Sequence, residues 1–354
     1  MAAITFKCTS CGAFVNFNPD DQNFKCPYCG KDYTEDEIIA KANEIDGEIN
    51  KNIDTEVEQS STYSDTNEKL YNCKNCGAQI VADETTVATN CYYCHSPIVL
   101  VDKLLREYKP DRLIPFKFNK EEAIKKFHEY VGKKKYVPKE FFSQSQLEKI
   151  AGVYYPYWDA DYKCDATFDG EGVTVSTVVS GDYNITTTRY YKVIRRGILK
   201  FNNIMRNALS KNQRLLADGI HPFDFNDEKD YSSAYFTGFM AEKRDVDKED
   251  VQGNVESEIE SYLQPILTRG SSYSKLYGNV NMNILNKSYN YLMLPTWVLT
   301  YRGKDNIQYF FSMNGQTGKV CGKLPIDKGK LFLHGIIAAA GVALALLIGG
   351  YFLW

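Results

Sequence analysis

Histidine is scarce and scattered. Four occur in 354 residues, at positions 95, 128, 221 and 334. No two share the HExxH spacing that puts two metal ligands on one helical face. A nucleophile elbow and a nucleotide-binding glycine fingerprint are also missing. Gly315-Gln-Thr-Gly318-Lys319-Val320 comes nearest to a phosphate loop. It fails because that loop needs four residues between its glycines and Ser or Thr after the lysine. A hairpin turn accounts for it better, and no assembled active site is legible. The expectation is a chain that is not an enzyme. A strong charge of one sign is lacking too: 42 bases stand against 45 acids, net −3, which gives no basic footprint for nucleic acid. The opening residues, MAAITFKC, carry no apolar core of a secretory signal.

Cysteine, by contrast, is plentiful. Eight of the ten fall into four CxxC pairs. Without an export signal this favours metal ligation in a reducing compartment over disulfides. Cys8-x2-Cys11 is followed after 14 residues by Cys26-x2-Cys29, and Cys73-x2-Cys76 after 14 residues by Cys91-x2-Cys94. The units lie 65 positions apart and share flanking residues, Phe6 and Tyr71 before, Gly12-Ala13 and Gly77-Ala78 after, so the module is duplicated. Two thiolates on each of two tight turns complete a tetrahedron around zinc at about 2.3 Å. Glycine after a CxxC lets the turn close with positive φ, a role that fits Gly12, Gly30 and Gly77. His95 takes the fourth such place, and because Cys94 already completes the set it reads as a turn residue. Two closed, structural Zn2+ sites are expected, without an open catalytic position.

Around the first site Lys7, Lys25 and Lys31 offset Asp20, Asp21 and Asp32, and the second carries net −1. Phosphate binding needs positive charge, so Tyr28, Tyr92 and Tyr93 at the turns are expected to pack or meet a protein rather than stack on bases. Residues 31–70 hold 12 acids and four lysines, with a capping box at Thr34-x-x-Glu37 and a polar stretch from Gln59 to Asn67. That linker predicts two independently moving modules. Residues 103–149 reverse the sign, with 13 bases against seven acids. Asn119 caps a helix there that stops at Gly132, before Lys133-Lys134-Lys135. A solvated rim is the commoner reason for such lysines, and contact with anionic lipid is the other reading.

From Ile150 the texture is β-rich, and 16 of the 26 tyrosines fall between 150 and 330, suited to strand packing. Alternation predicts strands through Val173–Val179 and Tyr183–Ile194, turned at Ser180-Gly181-Asp182, and a meander over Thr296–Tyr301, Ile307–Met313 and Lys319–Cys321. Helices are expected over Arg206–Ala217 and around Val251–Ile266. Single Cys164 and Cys321 read as core.

One long apolar run occurs, Leu331 to Trp354, whose one polar side chain is His334. As a helix it measures about 36 Å, enough to cross a bilayer core. Lys319, Lys323, Lys328 and Lys330 precede it, which places the bulk of the chain in the cytoplasm. Gly335, Ala339 and Ala343 are spaced for close pairing with a second copy, although alanine is ordinary in spanning helices.

The chain resembles the membrane-anchored zinc-ribbon proteins of Gram-positive and related bacteria, a family labelled TFIIB-type zinc ribbon or primosomal helicase. The residues that carry this are Leu113-Ile-Pro-Phe116, Gly152-Val-Tyr-Tyr-Pro-Tyr-Trp158, His221-Pro-Phe-Asp224, Gly238-Phe-Met-Ala-Glu242, Leu294-Pro-Thr-Trp297, Asn314-Gly-Gln-Thr-Gly-Lys319 and Gly322-Lys-Leu-Pro325. The resemblance implies a membrane tether for phage-shock-protein-A-like and flotillin-like partners in envelope stress. Two ribbons depart from the family's usual one, and no ATPase motif supports the helicase label.

The expectation is therefore a multidomain chain: zinc ribbons at 1–34 and 69–102 joined by an acidic linker at 35–68, a basic helical segment at 103–149, a β-rich mixed α+β domain at 150–330 and a transmembrane helix at 331–354. Its expected role is a single-pass adaptor that recruits cytoplasmic proteins to the membrane. The other reading is a membrane-tethered nucleic-acid binder using the ribbons.

Overall fold

The computed structural model describes residues 3–4, 6–44, 68–72, 79–83, 85–90, 97–100, 108–210, 219–303 and 306–353. The chain divides into two compact units. Unit 1 holds Met1–Tyr155, Lys211–Lys243 and Met293–Trp354, and unit 2 holds Pro156–Ser210 and Arg244–Leu292. The β-rich stretch is thus shared between two bodies, because the chain leaves the first and returns to it twice.

Unit 1 begins with β1 (Ala3–Ile4) and a small antiparallel sheet of β2 (Asn16–Asn18), β3 (Asn23–Lys25) and β4 (Asp32–Tyr33). Helix α1 (35–44) follows. Its capping box forms: the Thr34 amide donates to Glu37 Oε2 at 3.0 Å and the Glu37 amide to Thr34 Oγ1 at 3.4 Å. Ile38 and Ala42 turn inward from it. The hairpins β5 (Glu68–Asn72)–β6 (Gln79–Asp83) and β7 (Thr86–Asn90)–β8 (Pro97–Leu100) come next.

After β9 (Arg112–Leu113), helix α2 (Lys120–Gly132) starts where expected, with the Glu122 amide donating to Asn119 Oδ1 at 2.8 Å. Ala123, Phe127 and Val131 bury one stripe of it. The short α3 (Gln144–Leu147) leads into β10 (Ala151–Ser180), which turns at Gly181 (φ 60°) into β11 (Tyr183–Asn207). The remaining elements are β12 (Lys229–Asp230), β13 (Met240–Glu242), α4 (Lys248–Leu267), β14 (Lys275–Arg302), β15 (Gln308–Asn314), β16 (Val320–Gly322) and α5 (Lys328–Leu353). The main sheet runs β1-β8-β7-β13-β10-β14-β15-β16, with β11 on β10 and β9 between β12 and β14.

The core of unit 1 gathers the motifs that carried the family resemblance. Phe116 stacks on Phe239 with ring centroids 4.2 Å apart, and meets Tyr154 at 5.0 Å and Trp297 at 5.2 Å edge-on. A Cβ on Gly152 would lie 2.6 Å from the Phe239 ring, and one on Gly315 2.5 Å from that of Phe116. Both glycines are there for room. Asn314 ties its turn to the segment at 221–224: its amide nitrogen donates to the Ile220 and Pro222 carbonyls, each at 3.1 Å. Gln316 donates through Nε2 to the Asp224 carbonyl at 2.7 Å, and its Oε1 accepts from the Asp224 amide at 2.8 Å. The glycine-rich run is a structural turn, with Gly318 at φ 76°.

In unit 2, α4 lays Val255, Ile259 and Leu263 on Ala160, Tyr162, Cys164 and Ala166 of β10. Its start has the reciprocal cap of Asp247 with Asp250. Gly170 and Gly278 let β10 and β14 approach closely, since a Cβ on Gly170 would sit 2.1 Å from the Tyr277 carbonyl oxygen.

Three expectations change. No helix begins at Arg206: β11 continues through Asn207, where Asn207 pairs with Tyr157 and Arg206 with Trp158. The ladder offered by β10 outweighs local helical spacing. Residues 211–218 of that proposed helix lie outside the described residues. The strand at Lys275–Leu292 had no counterpart in the sequence reading. Finally, the first cysteine module is not free. The Phe17 amide donates to Thr237, Gln22 Nε2 to the Phe116 carbonyl at 2.8 Å, and Phe17 packs against Tyr235 at 5.1 Å. Glu35 takes an ion pair from Lys229 at 2.5 Å and a hydrogen bond from the Tyr235 hydroxyl. Although burial opposes it, that pairing with Lys229 and Tyr235 holds the Glu35 carboxyl below its usual range.

Candidate metal centre

The site is built from two matching turns. The Gly12 amide donates to the Cys8 carbonyl and the Gly30 amide to the Cys26 carbonyl, each at 2.9 Å. Gly12 has φ 75° and Gly30 φ 74°, the left-handed conformation that glycine adopts without strain. Each loop is closed by a pair one residue before its first cysteine and three after its second, the Lys7–Phe14 bridge and the Lys25–Asp32 ladder pair. Cys8 and Cys26 are buried, and Cys11 and Cys29 exposed. Sγ of Cys8 lies 3.5 Å from that of Cys29, and Sγ of Cys11 3.5 Å from that of Cys26. All four sulfurs fall within 4.8 Å of one another, so the group could hold one metal ion.

The sulfurs are electrostatically unequal. A hydrogen bond from the Tyr33 hydroxyl, at 3.2 Å, brings the Cys8 thiol down to about 5, helped by the Ser10 amide and opposed by burial. Backbone amides at Cys29 and Tyr28 hold Cys26 low as well. For Cys11 the Ala13 amide favours the thiolate, but burial and the three neighbouring sulfurs prevail and push it up to about 12. The cluster therefore accumulates negative charge only until the sulfurs repel further ionisation. A cation among them removes that limit.

Sequence reasoning missed Tyr33. Its hydroxyl also accepts from the Thr9 amide at 2.8 Å, and Lys31 lies over its ring at 5.1 Å. A tyrosine four residues beyond the last ligand carries no signal for this by itself. Tyr28 stands 83% exposed on the second turn, unused by the core. A groove of about 710 Å³ runs beside the module, lined in part by Asn16, Asn18, Lys25, Glu121, Lys149 and Trp297.

Cys73, Cys76, Cys91, Cys94, His95, Tyr92 and Tyr93 lie outside the described residues. The strands around those cysteines are described. Asn72 pairs with Gln79 and Asn90 with Pro97, again one residue before and three after each CxxC pair. Cys164 is buried in the core of unit 2, where burial pushes its thiol up. His128 is exposed on α2.

Helix α5 has 26 residues, three more at its start than the apolar run and one fewer at its end. It is long and apolar enough to cross a membrane, and its apolar window is left uncovered by the other described residues. Asp327 caps it, accepting from the Lys330 amide at 3.0 Å.

Fold and site together define a β-rich chain of mixed strands and helices with a four-cysteine centre able to hold a metal ion and one helix able to span a bilayer. Such a chain is similar, at 29% identity over 361 residues and 99% of both lengths, to the uncharacterized protein YdjG of Bacillus subtilis (strain 168). No family model and no solved structure matches it.

Proposed function

We propose that this chain is a non-enzymatic adaptor, held in the cytoplasmic membrane by α5, whose zinc-bound modules and docked body capture cytoplasmic proteins. The observation that carries the reading is the combination, in one chain, of four cysteine sulfurs close enough to hold one metal ion and a helix left uncovered by the described residues. Four protein sulfurs leave zinc no open position for substrate, which makes the metal structural. The edge of a zinc–sulfur tetrahedron is about 3.8 Å at bond lengths of about 2.3 Å, within the spread of sulfur separations here. A second zinc site at Cys73, Cys76, Cys91 and Cys94 is supported by the pairing just outside each of those turns, which repeats that of the first module. Exposed Tyr28 and the groove beside β2 are the surfaces offered to a partner. Lysines before α5 favour a cytoplasmic body, and the family resemblance adds phage-shock-protein-A-like and flotillin-like proteins in envelope stress as the partners to look for.

The test is crosslinking in intact cells followed by purification from membranes, wild type beside Tyr28→Ala and Cys8→Ser/Cys11→Ser. The adaptor reading expects a protein partner that both variants lose while remaining in the membrane fraction. A partner set unaffected by either variant counts against it.

A further inference from the structure

Lys133, Lys134 and Lys135 directly follow α2 and are exposed. The fold brings them to the root of α5. Next to them, Tyr136 meets His334 of α5 edge-on, with centroids 5.5 Å apart. The Tyr136 carbonyl accepts from the Asp327 amide at 2.7 Å, and the Val137 carbonyl from Lys330 Nζ at 3.1 Å. Two stretches 193 residues apart are thereby stapled together where the helix begins. Lys323 and Lys328 are exposed on the second stretch. Asp327 is engaged by the helix start and by Lys330 at 3.6 Å. Lys134 lies over the Tyr130 ring at 5.2 Å and Lys135 over the Tyr136 ring at 5.9 Å, contacts that hold an ammonium group without neutralising it. A cleft of about 270 Å³ opens at the same place, lined by Pro138, Tyr301, Tyr309, Ile326 and Lys328 among others. Tyrosine and lysine are the residues that settle at headgroup depth.

We propose that Lys133, Lys134, Lys135, Lys323 and Lys328 form a collar that binds the anionic headgroups of the bilayer entered by α5. The inference rests on reading α5 as membrane-spanning and adds a second, ionic contact that seats unit 1 on the lipid. An anionic surface enriches each nearby lysine about fivefold in its bound state, and the attraction fades within a Debye length as salt is added.

The test uses the full chain reconstituted in nanodiscs of phosphatidylcholine alone or of phosphatidylcholine mixed with phosphatidylglycerol. Acylation rates are read lysine by lysine by mass spectrometry. In the anionic discs the collar lysines are expected to react about fivefold more slowly, recovering in high salt, while exposed Lys7 keeps one rate throughout. The triple variant Lys133→Glu/Lys134→Glu/Lys135→Glu is expected to abolish the lipid dependence at Lys328. A chain that enters the discs but shows equal rates in both overturns the collar alone. A chain that stays soluble outside them overturns the spanning reading and the collar with it.

Discussion

The Cys11 thiol is pushed up by burial and the neighbouring sulfurs, so a metal ion held among the four cysteines would displace a proton there. Loading therefore releases protons, and acid favours the empty state. Zinc release, followed with a chromogenic chelator, is expected to rise as pH falls. Cys26→Ser is expected to halve the zinc bound per chain and to lower the melting temperature, both read on purified protein. A second acid-sensitive point is His221, held down to about 4 from its ordinary 6.5, chiefly by burial and then by Lys319. The folded chain keeps it neutral while the unfolded chain takes the proton, so its contribution is full above about 6.5 and lost by about 4. That loss is on the order of 2 kcal/mol after discounting for partial exposure. Urea titrations at neutral and mildly acid pH check it, with His221→Gln expected to flatten the difference. At this scale the grouping of Cys8, Cys11, Cys26 and Cys29 was legible because it is local, with Cys8 and Cys29 only 21 residues apart. Tyr33 was not, because nothing in its neighbours marks a hydroxyl aimed at sulfur.

Elements were legible where their ends carry chemistry. Asn119 and Gly132 bound α2, and the Thr34–Glu37 pair opens α1. The strand at 275–292 was hidden by composition. Asn279, Asn281 and Asn283 disfavour strands, yet they alternate with Val280, Met282 and Ile284, which pack on the α4 core. Tertiary packing overrode propensity there. Ile259→Ala should cost about 2–5 kcal/mol by opening that core, measured by denaturant unfolding. In unit 1, Gly152→Ala forces its Cβ into the Phe239 ring and should cost about 1–3 kcal/mol, read in the same way. For α5, Leu344→Arg sets a charge in the apolar span at a cost of about 2.5–3.5 kcal/mol. A larger fraction of the chain is then expected in the supernatant after alkaline extraction.

Across the whole molecule, what escaped the sequence is long-range. The Phe116 cluster joins residues from 116, 154, 239 and 297, and no local pattern says that these motifs meet. Separately weak, they acquire a shared reason in the packing of one core. The seating of the first module on Thr237 has the same character, reaching across 220 residues.

That seating has a consequence for biosynthesis. Every sulfur of the first centre has left the ribosome once residue 29 is out, whereas the threonine on which the module rests is made 220 residues after Phe17. At about 5–20 residues per second this interval is roughly 10–40 s. During it the nascent module has its four cysteines and lacks its seat, so a metal ion is the partner that could reach it first. Metal starvation would then act on the growing chain, leaving a finished body to close around an unfilled turn.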